Sequence, residues 1–297
     1  MILRDLLAPA AAAGAGILVG TGMVATRFVI TQTDPASLAL LRYLVGFLCL
    51  LPPVLVAGRL RFDRADMLPV ALLGITQFGI LIALLNFGLQ FIGSGLGALI
   101  FATLPLLTML FAAALRLESL TPAKSIGVLL TIAGVTCAVG GKIQPMDGAA
   151  TGWLGVLAVF GSALCGAVCS VFYRPYLEKY PALQIGAFAM LASVAFLAIL
   201  AGFEGFFAAW PAFTLGGWLA VLFIGVSSGL GYYLWLWALQ HATPTEVTVF
   251  LALGPITATA GGAMLLGEAV PPLFLLGLAA LALGLYVAHR RPNARRE

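Results

Sequence analysis

The chain has 297 residues, of which 62% are hydrophobic and 9% charged, with a net charge of +4 and a mean hydropathy of +1.10. Soluble domains carry roughly 25% charged residues, so this composition excludes a fold whose whole surface faces water. The basic excess is distributed as a membrane-side signal, not as a nucleic-acid footprint.

Ten apolar runs, each long enough to cross the hydrocarbon core, fall at roughly 8–30, 36–57, 67–90, 94–115, 121–141, 151–173, 182–202, 213–239, 245–266 and 270–289. The runs are continuous, whereas barrel strands alternate, so the chain reads as an all-α membrane protein with ten transmembrane helices. The first run follows Arg4 and is longer than the apolar core of a signal peptide, so it is read as a retained helix. Arg27, near its outer end, has the reach to snorkel to the headgroups. In the second run Arg42 lies about two turns inside, where a charge costs about 2.5–3.5 kcal/mol on insertion scales. Snorkelling competes there with a cation that faces a cavity.

The third run holds Gln77 near its middle and Asn86 and Gln90 toward its outer end. The fourth has a stripe of small residues around Pro105 (Ala98, Ala102, Met109, Ala112), with Thr103 beside the proline. The fifth, with Gly127 and Gly134, and the tenth, with Gly277 and Gly284, are otherwise almost wholly aliphatic, Thr131 and Thr136 being the main polar exceptions. Such helices make poor pore walls; they are assigned to the periphery, where a homodimer contact is one use for them. The sixth run carries Ser162, Ser170 and Tyr173, and its Cys165 and Cys169 have no histidine beside them to build a metal site. The eighth puts Ser228, Tyr232 and Trp235 on one face at i, i+4, i+7. In the ninth, Thr248, Ala252, Pro255, Thr259 and Gly262 repeat the stripe of the fourth, with Thr257 beside the proline.

Laid on itself at an offset of 150, the chain pairs Gln90 with Gln240, Pro105 with Pro255, Glu118 with Glu268, Pro122 with Pro272, Gly127 with Gly277 and Gly134 with Gly284. This predicts two five-helix repeats, residues 1–145 and 146–297, joined by a polar linker at 142–151. A unit with an odd number of spans places its tandem copy upside down, an architecture that recurs in secondary transporters, with the site between the repeats. Of the 15 basic residues, twelve fall in the segments that lie inside when the N-terminus is inside, and only Lys142 in an outer loop. By the positive-inside rule both termini are cytoplasmic. Compact loops suit a bacterial cell inner membrane.

The carboxylates all map to loops or helix ends. A proton relay through a midplane acid is therefore disfavoured, Glu246 being the nearest to a candidate, and so is a cation site built on a buried acid. The only charges within spans are positive, which favours a zwitterion or an anion as substrate. The expected substrate-binding residues are Gln77, Thr103, Ser228, Tyr232, Trp235, Thr257 and Arg42, with Pro105 and Pro255 as hinges. Gly225-Val226-Ser227-Ser228-Gly229 matches the G-x-S-x-G pattern of serine hydrolases. It lies within a helix, with no base at its depth, so an enzyme is not expected. No phosphate-binding loop is present, and no metal or cofactor is expected.

Three stretches carry a resemblance: Leu38 to Leu51 with Arg42, Asn86 to Glu118 around Pro105, and Gly254-Pro255 through Gly267-Glu268. They resemble the EamA-type members of the drug/metabolite transporter superfamily, and the overall pattern is similar to the YddG-like aromatic amino acid exporters. The first copy reads Arg-Leu-Glu where the repeat usually has Gly-Glu. The resemblance implies a central cavity between the repeats, the fifth and tenth spans outside it, and export of amino acids, metabolites or toxic compounds. The expected function is export of amino acids or similar small metabolites by alternating access. A lipophilic-cation or drug exporter and a non-transporting scaffold are the rival readings.

Overall fold

The computed structural model describes residues 2–57, 62–117, 126–127, 129–130, 133–137, 149–242, 247, 250 and 253–289. Most of the predicted fifth span, the linker 142–148 and the start of the ninth span lie outside these residues. So do Glu118, Pro122, Lys142, Glu246, Thr248 and Ala252.

Among the described residues every regular element is helical. In chain order they are α1 (Ile2–Val29), a 3-10 turn (Ile30–Gln32), α2 (Pro35–Ala57), α3 (Arg64–Gly74), a π-turn (Ile75–Ile80), α4 (Leu81–Phe91), α5 (Ser94–Phe101) and α6 (Leu104–Ala114). Then come α7 (Ala149–Phe172), α8 (Arg174–Lys179), α9 (Ala182–Phe203), α10 (Leu215–His241), α11 (Leu253–Leu266) and α12 (Pro272–His289). Seven stretches among the described residues are long and apolar enough to cross a membrane: Leu7–Gln32, Pro35–Val56, Arg64–Phe91, Ser94–Ala114, Gly152–Lys179, Ala182–Phe203 and Leu215–His241. They coincide with the first four predicted spans and the sixth to eighth. The ninth and tenth correspond to α11 and α12, which are shorter in the described residues.

A helix in lipid has no water to satisfy its end groups, and here distant side chains supply the partners. Glu204, just beyond α9, accepts from Ala36 N (2.9 Å), Ser37 N (2.7 Å) and Ser37 Oγ (2.8 Å) at the start of α2. Glu268, just beyond α11, accepts from Ser94 N (2.9 Å) and Ser94 Oγ (2.8 Å) at the start of α5. Each glutamate adjoins a glycine of positive φ, Gly205 (84°) and Gly267 (66°), which turns the chain back toward its target. Arg116 adopts the same left-handed region (59°) at the end of α6. Arg27 supplies partners of the same kind at a helix C-terminus. Its Nη1 donates to the carbonyls of Leu89 (2.7 Å) and Gln90 (3.1 Å) that end α4.

The helices of the first half of the chain pack chiefly on those of the second. α1 lies against α10 and α11, α2 against α9 and α10, α3 and α4 against α9 and α7, and α5 and α6 against α11 and α7. Glycines set the closest approaches. A Cβ at Gly74 would overlap the Ala189 carbonyl oxygen of α9, and one at Gly229 would lie 2.8 Å from that of Gly46 in α2. α12 sits apart from the main core. Its Phe274 and Leu281 form a small cluster with Leu99 and Ala102, while Leu275, Leu276 and Leu283 are exposed.

Two departures from regular helix bear on the interior. Pro105 has no N–H to give to the Phe101 carbonyl, and the helix breaks there: α5 ends at Phe101, Thr103 N turns back to Ile100 O (3.0 Å), and α6 starts anew at Leu104. In the third span, Leu81 N donates to Thr76 O, five residues back, and closes the π-turn. Single π-turns inside helices are rare and occur often at functional sites.

Candidate functional site

One cavity of about 90 Å3 lies among α1, α2, the π-turn, α4, α5, α6 and α10. Five of the seven residues that sequence singles out as substrate-binding border it: Arg42, Gln77, Ser228, Tyr232 and Trp235. They come from three separate helical spans. Thr103 and Thr257 do not line it. The Thr103 hydroxyl donates to Ile100 O (2.8 Å), and the Thr257 hydroxyl to Leu253 O (3.1 Å) and Gly254 O (3.0 Å), while packing against Gly20. Both threonines satisfy themselves on their own helix, a habit of buried threonine that leaves little for a ligand.

Arg42 is 8% exposed, so its stem does not carry the charge to the membrane surface. Its Nε donates to Ser228 Oγ at 2.5 Å, and Ser228 Oγ donates on to Ile224 O at 2.6 Å. No described carboxylate forms an ion pair with Arg42; the two ion pairs among described residues, Arg174–Glu178 and Lys179–Asp66, lie elsewhere. Gly22 of α1 leaves room for the guanidinium, with Nη2 3.7 Å from where its Cβ would be.

The rest of the wall is apolar and aromatic, including Leu18, Met23, Leu81, Phe101 and Leu104. Tyr43, Phe78, Tyr232 and Trp235 form a run of contacting rings, with centroids 4.8, 4.2 and 5.2 Å apart, and Tyr173, between α7 and α8, abuts both Tyr232 and Trp235. Sequence reasoning missed Tyr43 and Phe78. Each directly follows a polar residue it did single out, Arg42 or Gln77, and that adjacency was the available signal.

Two cavity-lining residues each carry a fully buried polar atom without a hydrogen-bond partner: the Gln77 carboxamide oxygen and the Tyr232 hydroxyl. The hydroxyl of Tyr173 neighbours that of Tyr232, but the geometry makes no hydrogen bond between them. An unsatisfied buried polar group costs about 1–3 kcal/mol. No cluster of metal-ligating side chains occurs among the described residues.

A multi-span helical membrane protein with a charged cavity between its halves has the form of a carrier. The chain belongs to the EamA-like transporter family, whose model matches residues 6–140 and again 153–289. A probable terminal-alkyne amino-acid exporter of Streptantibioticus cattleyicolor is 31% identical over 88% of this chain and 86% of its own length. A probable amino-acid metabolite efflux pump of Salmonella typhimurium is 24% identical over 90% of each chain. An uncharacterized transporter of Archaeoglobus fulgidus is 23% identical over 92% of this chain and 95% of its own length. One solved crystal structure shares the fold, with a TM-score of 0.74 over 95% of this chain and 96% of the other, at 24% identity. These relatives are named transporters, not enzymes.

Proposed function

We propose that the chain exports amino acids or similar small metabolites across a bacterial inner membrane, by alternating access of the Arg42 cavity, with both termini in the cytoplasm. The observation that carries this reading is the buried guanidinium without a carboxylate partner. A buried charge is costly unless paired, so the cavity is complementary to an occupant that brings its own anionic group. The apolar and aromatic wall suits the remainder of such a molecule. The same charge repels lipophilic cations. Two relatives bearing names of amino-acid exporters support the substrate class.

The motion follows from an architecture of two inverted five-helix repeats, residues 1–145 and 146–297. Its support is the double match to the family model and a set of contacts that recur at the offset of 150. Arg27 bonds the Gln90 carbonyl, and Gln240 bonds the Leu177 carbonyl, the same pair of positions in the other half. Gly46 meets Gly229 as Phe196 meets Gly79, and Gly16 meets Gly254 as Leu104 meets Gly166. An arrangement that maps onto itself when the halves are exchanged provides two equivalent states, one open to each side. Pro105 and Pro255 serve as matched hinges of the fourth and ninth spans, Pro105 directly beside the cavity-lining Phe101 and Leu104.

Counterflow in proteoliposomes tests this, with labelled leucine, phenylalanine and alanine, a dicarboxylate and a lipophilic cation. Saturable exchange of an amino acid is expected. Exchange of the cation alone contradicts the electrostatic argument, and exchange of nothing, with no ligand-dependent thermal shift, leaves a scaffold.

A further inference from the structure

Resting on the exporter reading, we propose that the π-turn end of the cavity is an ammonium subsite: the Gln77 carboxamide oxygen and the Tyr232 hydroxyl take the amino group of a zwitterion whose carboxylate lies on Arg42. The geometry holds both groups in place without satisfying them. Gln77 sits within the π-turn Ile75–Ile80, and the turn is wedged against α9 at two glycines. A Cβ at Gly74 would meet the Ala189 backbone, and one at Gly79 would lie 2.7 Å from the Phe196 ring. The Tyr232 ring is clamped between Phe78 (4.2 Å) and Trp235 (5.2 Å).

The missing partners define the ligand. A carboxamide oxygen only accepts, so the group that completes Gln77 is a donor. The Arg42 guanidinium does not fill that role, being turned through its Nε to Ser228. Among the described residues lining the cavity there is no carboxylate. The positive end of the substrate is therefore received by dipoles, not by a counter-ion. This sorts three kinds of molecule. A bare amine meets Arg42 with nothing to offer it. A bare carboxylate pairs with Arg42 and leaves Gln77 and Tyr232 unmet. Only the zwitterion completes both ends, because a buried polar group left unpaired by the wrong ligand is what gives such sites their discrimination.

The test is competition in counterflow of labelled leucine, with unlabelled leucine, 4-methylpentanoate (leucine without its amino group) and 3-methylbutylamine (leucine without its carboxylate). The wild type is expected to prefer leucine over either analogue by roughly 10- to 100-fold, the range for a charged hydrogen bond. Gln77→Leu should erode the preference over 4-methylpentanoate about tenfold. Gln77→Glu should keep or raise it, and Tyr232→Phe, which removes one oxygen and keeps the ring, should lower it. Thermal unfolding in detergent checks that each variant is folded; should Gln77→Leu not fold, Tyr232→Phe carries the test alone. An unchanged preference in the folded variants, while the wild type exchanges leucine, overturns the subsite and leaves the exporter standing. Loss of leucine exchange in Gln77→Glu with 4-methylpentanoate unaffected also overturns the subsite. A wild type that exchanges none of leucine, phenylalanine and alanine overturns the exporter reading, and the subsite with it.

Discussion

Arg42 of α2 and Ser228 of α10 meet through a 2.5 Å hydrogen bond in the middle of an apolar fold, joining positions 186 residues apart. The serine orients the guanidinium by accepting from Nε, and Nη2 lies toward Gly22 of α1. Arg42→Lys keeps the charge and loses the planar fork that matches a carboxylate. Its exchange rate in counterflow should fall about tenfold or more, with protein yield preserved. Arg42→Met should remove exchange altogether, and Ser228→Ala should raise the half-saturating amino-acid concentration, since the guanidinium is then free to turn. Wild-type kinetics in Arg42→Met means the cavity is not the route.

Glu268 ties α11 to the start of α5 through Ser94, and Gly262 makes room for it: a Cβ there would overlap both the Ser94 hydroxyl and the Glu268 carboxylate. Removing the negative charge from a helix start while keeping the shape, by Glu268→Gln, should cost about 1–2 kcal/mol. Thermal unfolding in detergent reads this as a lower midpoint than that of the wild type. No change in midpoint means that the carboxylate does not cap α5 in the folded protein.

Gly74 lets α9 lie directly on the backbone before the π-turn. Gly74→Ala forces the helices apart, and overpacking of this kind typically costs about 1–3 kcal/mol. The expected result is a lowered unfolding midpoint together with weakened exchange, because the π-turn that carries Gln77 moves with it. A variant as stable as the wild type argues against the close contact.

Pro105 breaks the fourth span beside the cavity-lining residues Phe101 and Leu104. Pro105→Ala restores the missing N–H and permits one continuous helix. Binding of leucine measured by calorimetry should persist, while turnover in counterflow should drop about tenfold as the hinge stiffens, a cost of about 1.4 kcal/mol in the barrier. Equal losses in binding and turnover would assign the proline to packing alone.

Much of this site was legible in the chain itself. Arg42, Gln77, Ser228, Tyr232 and Trp235 stand out because a polar group in a lipid-length apolar run needs a reason to be there, and the cavity is where all five converge. Thr103 and Thr257 stood out by the same reasoning and do not line the cavity, since a threonine that bonds its own helix leaves the same mark in a sequence as one that faces a cavity. Arg27 was legible as a costly charge, but its partners, two carbonyls at the end of α4, are more than 60 residues away and carry no side-chain signature. The same holds for Glu204 and Glu268: sequence places them at helix ends without saying whose. The π-turn has no pattern of its own beyond Gly74 and Gly79, whose value lies in the helix they touch.

Alternating access requires one cavity to face each side of the membrane in turn, and side-specific labelling measures that exposure. In a background with Cys49, Cys137, Cys165 and Cys169 replaced, Leu18→Cys puts one thiol on the cavity wall. The account predicts that a membrane-impermeant thiol reagent reaches it from either side of oriented vesicles, and that an amino-acid gradient shifts the rate in favour of one side and against the other. Labelling from a single side only, indifferent to the gradient, would contradict alternating access and with it the proposed mechanism.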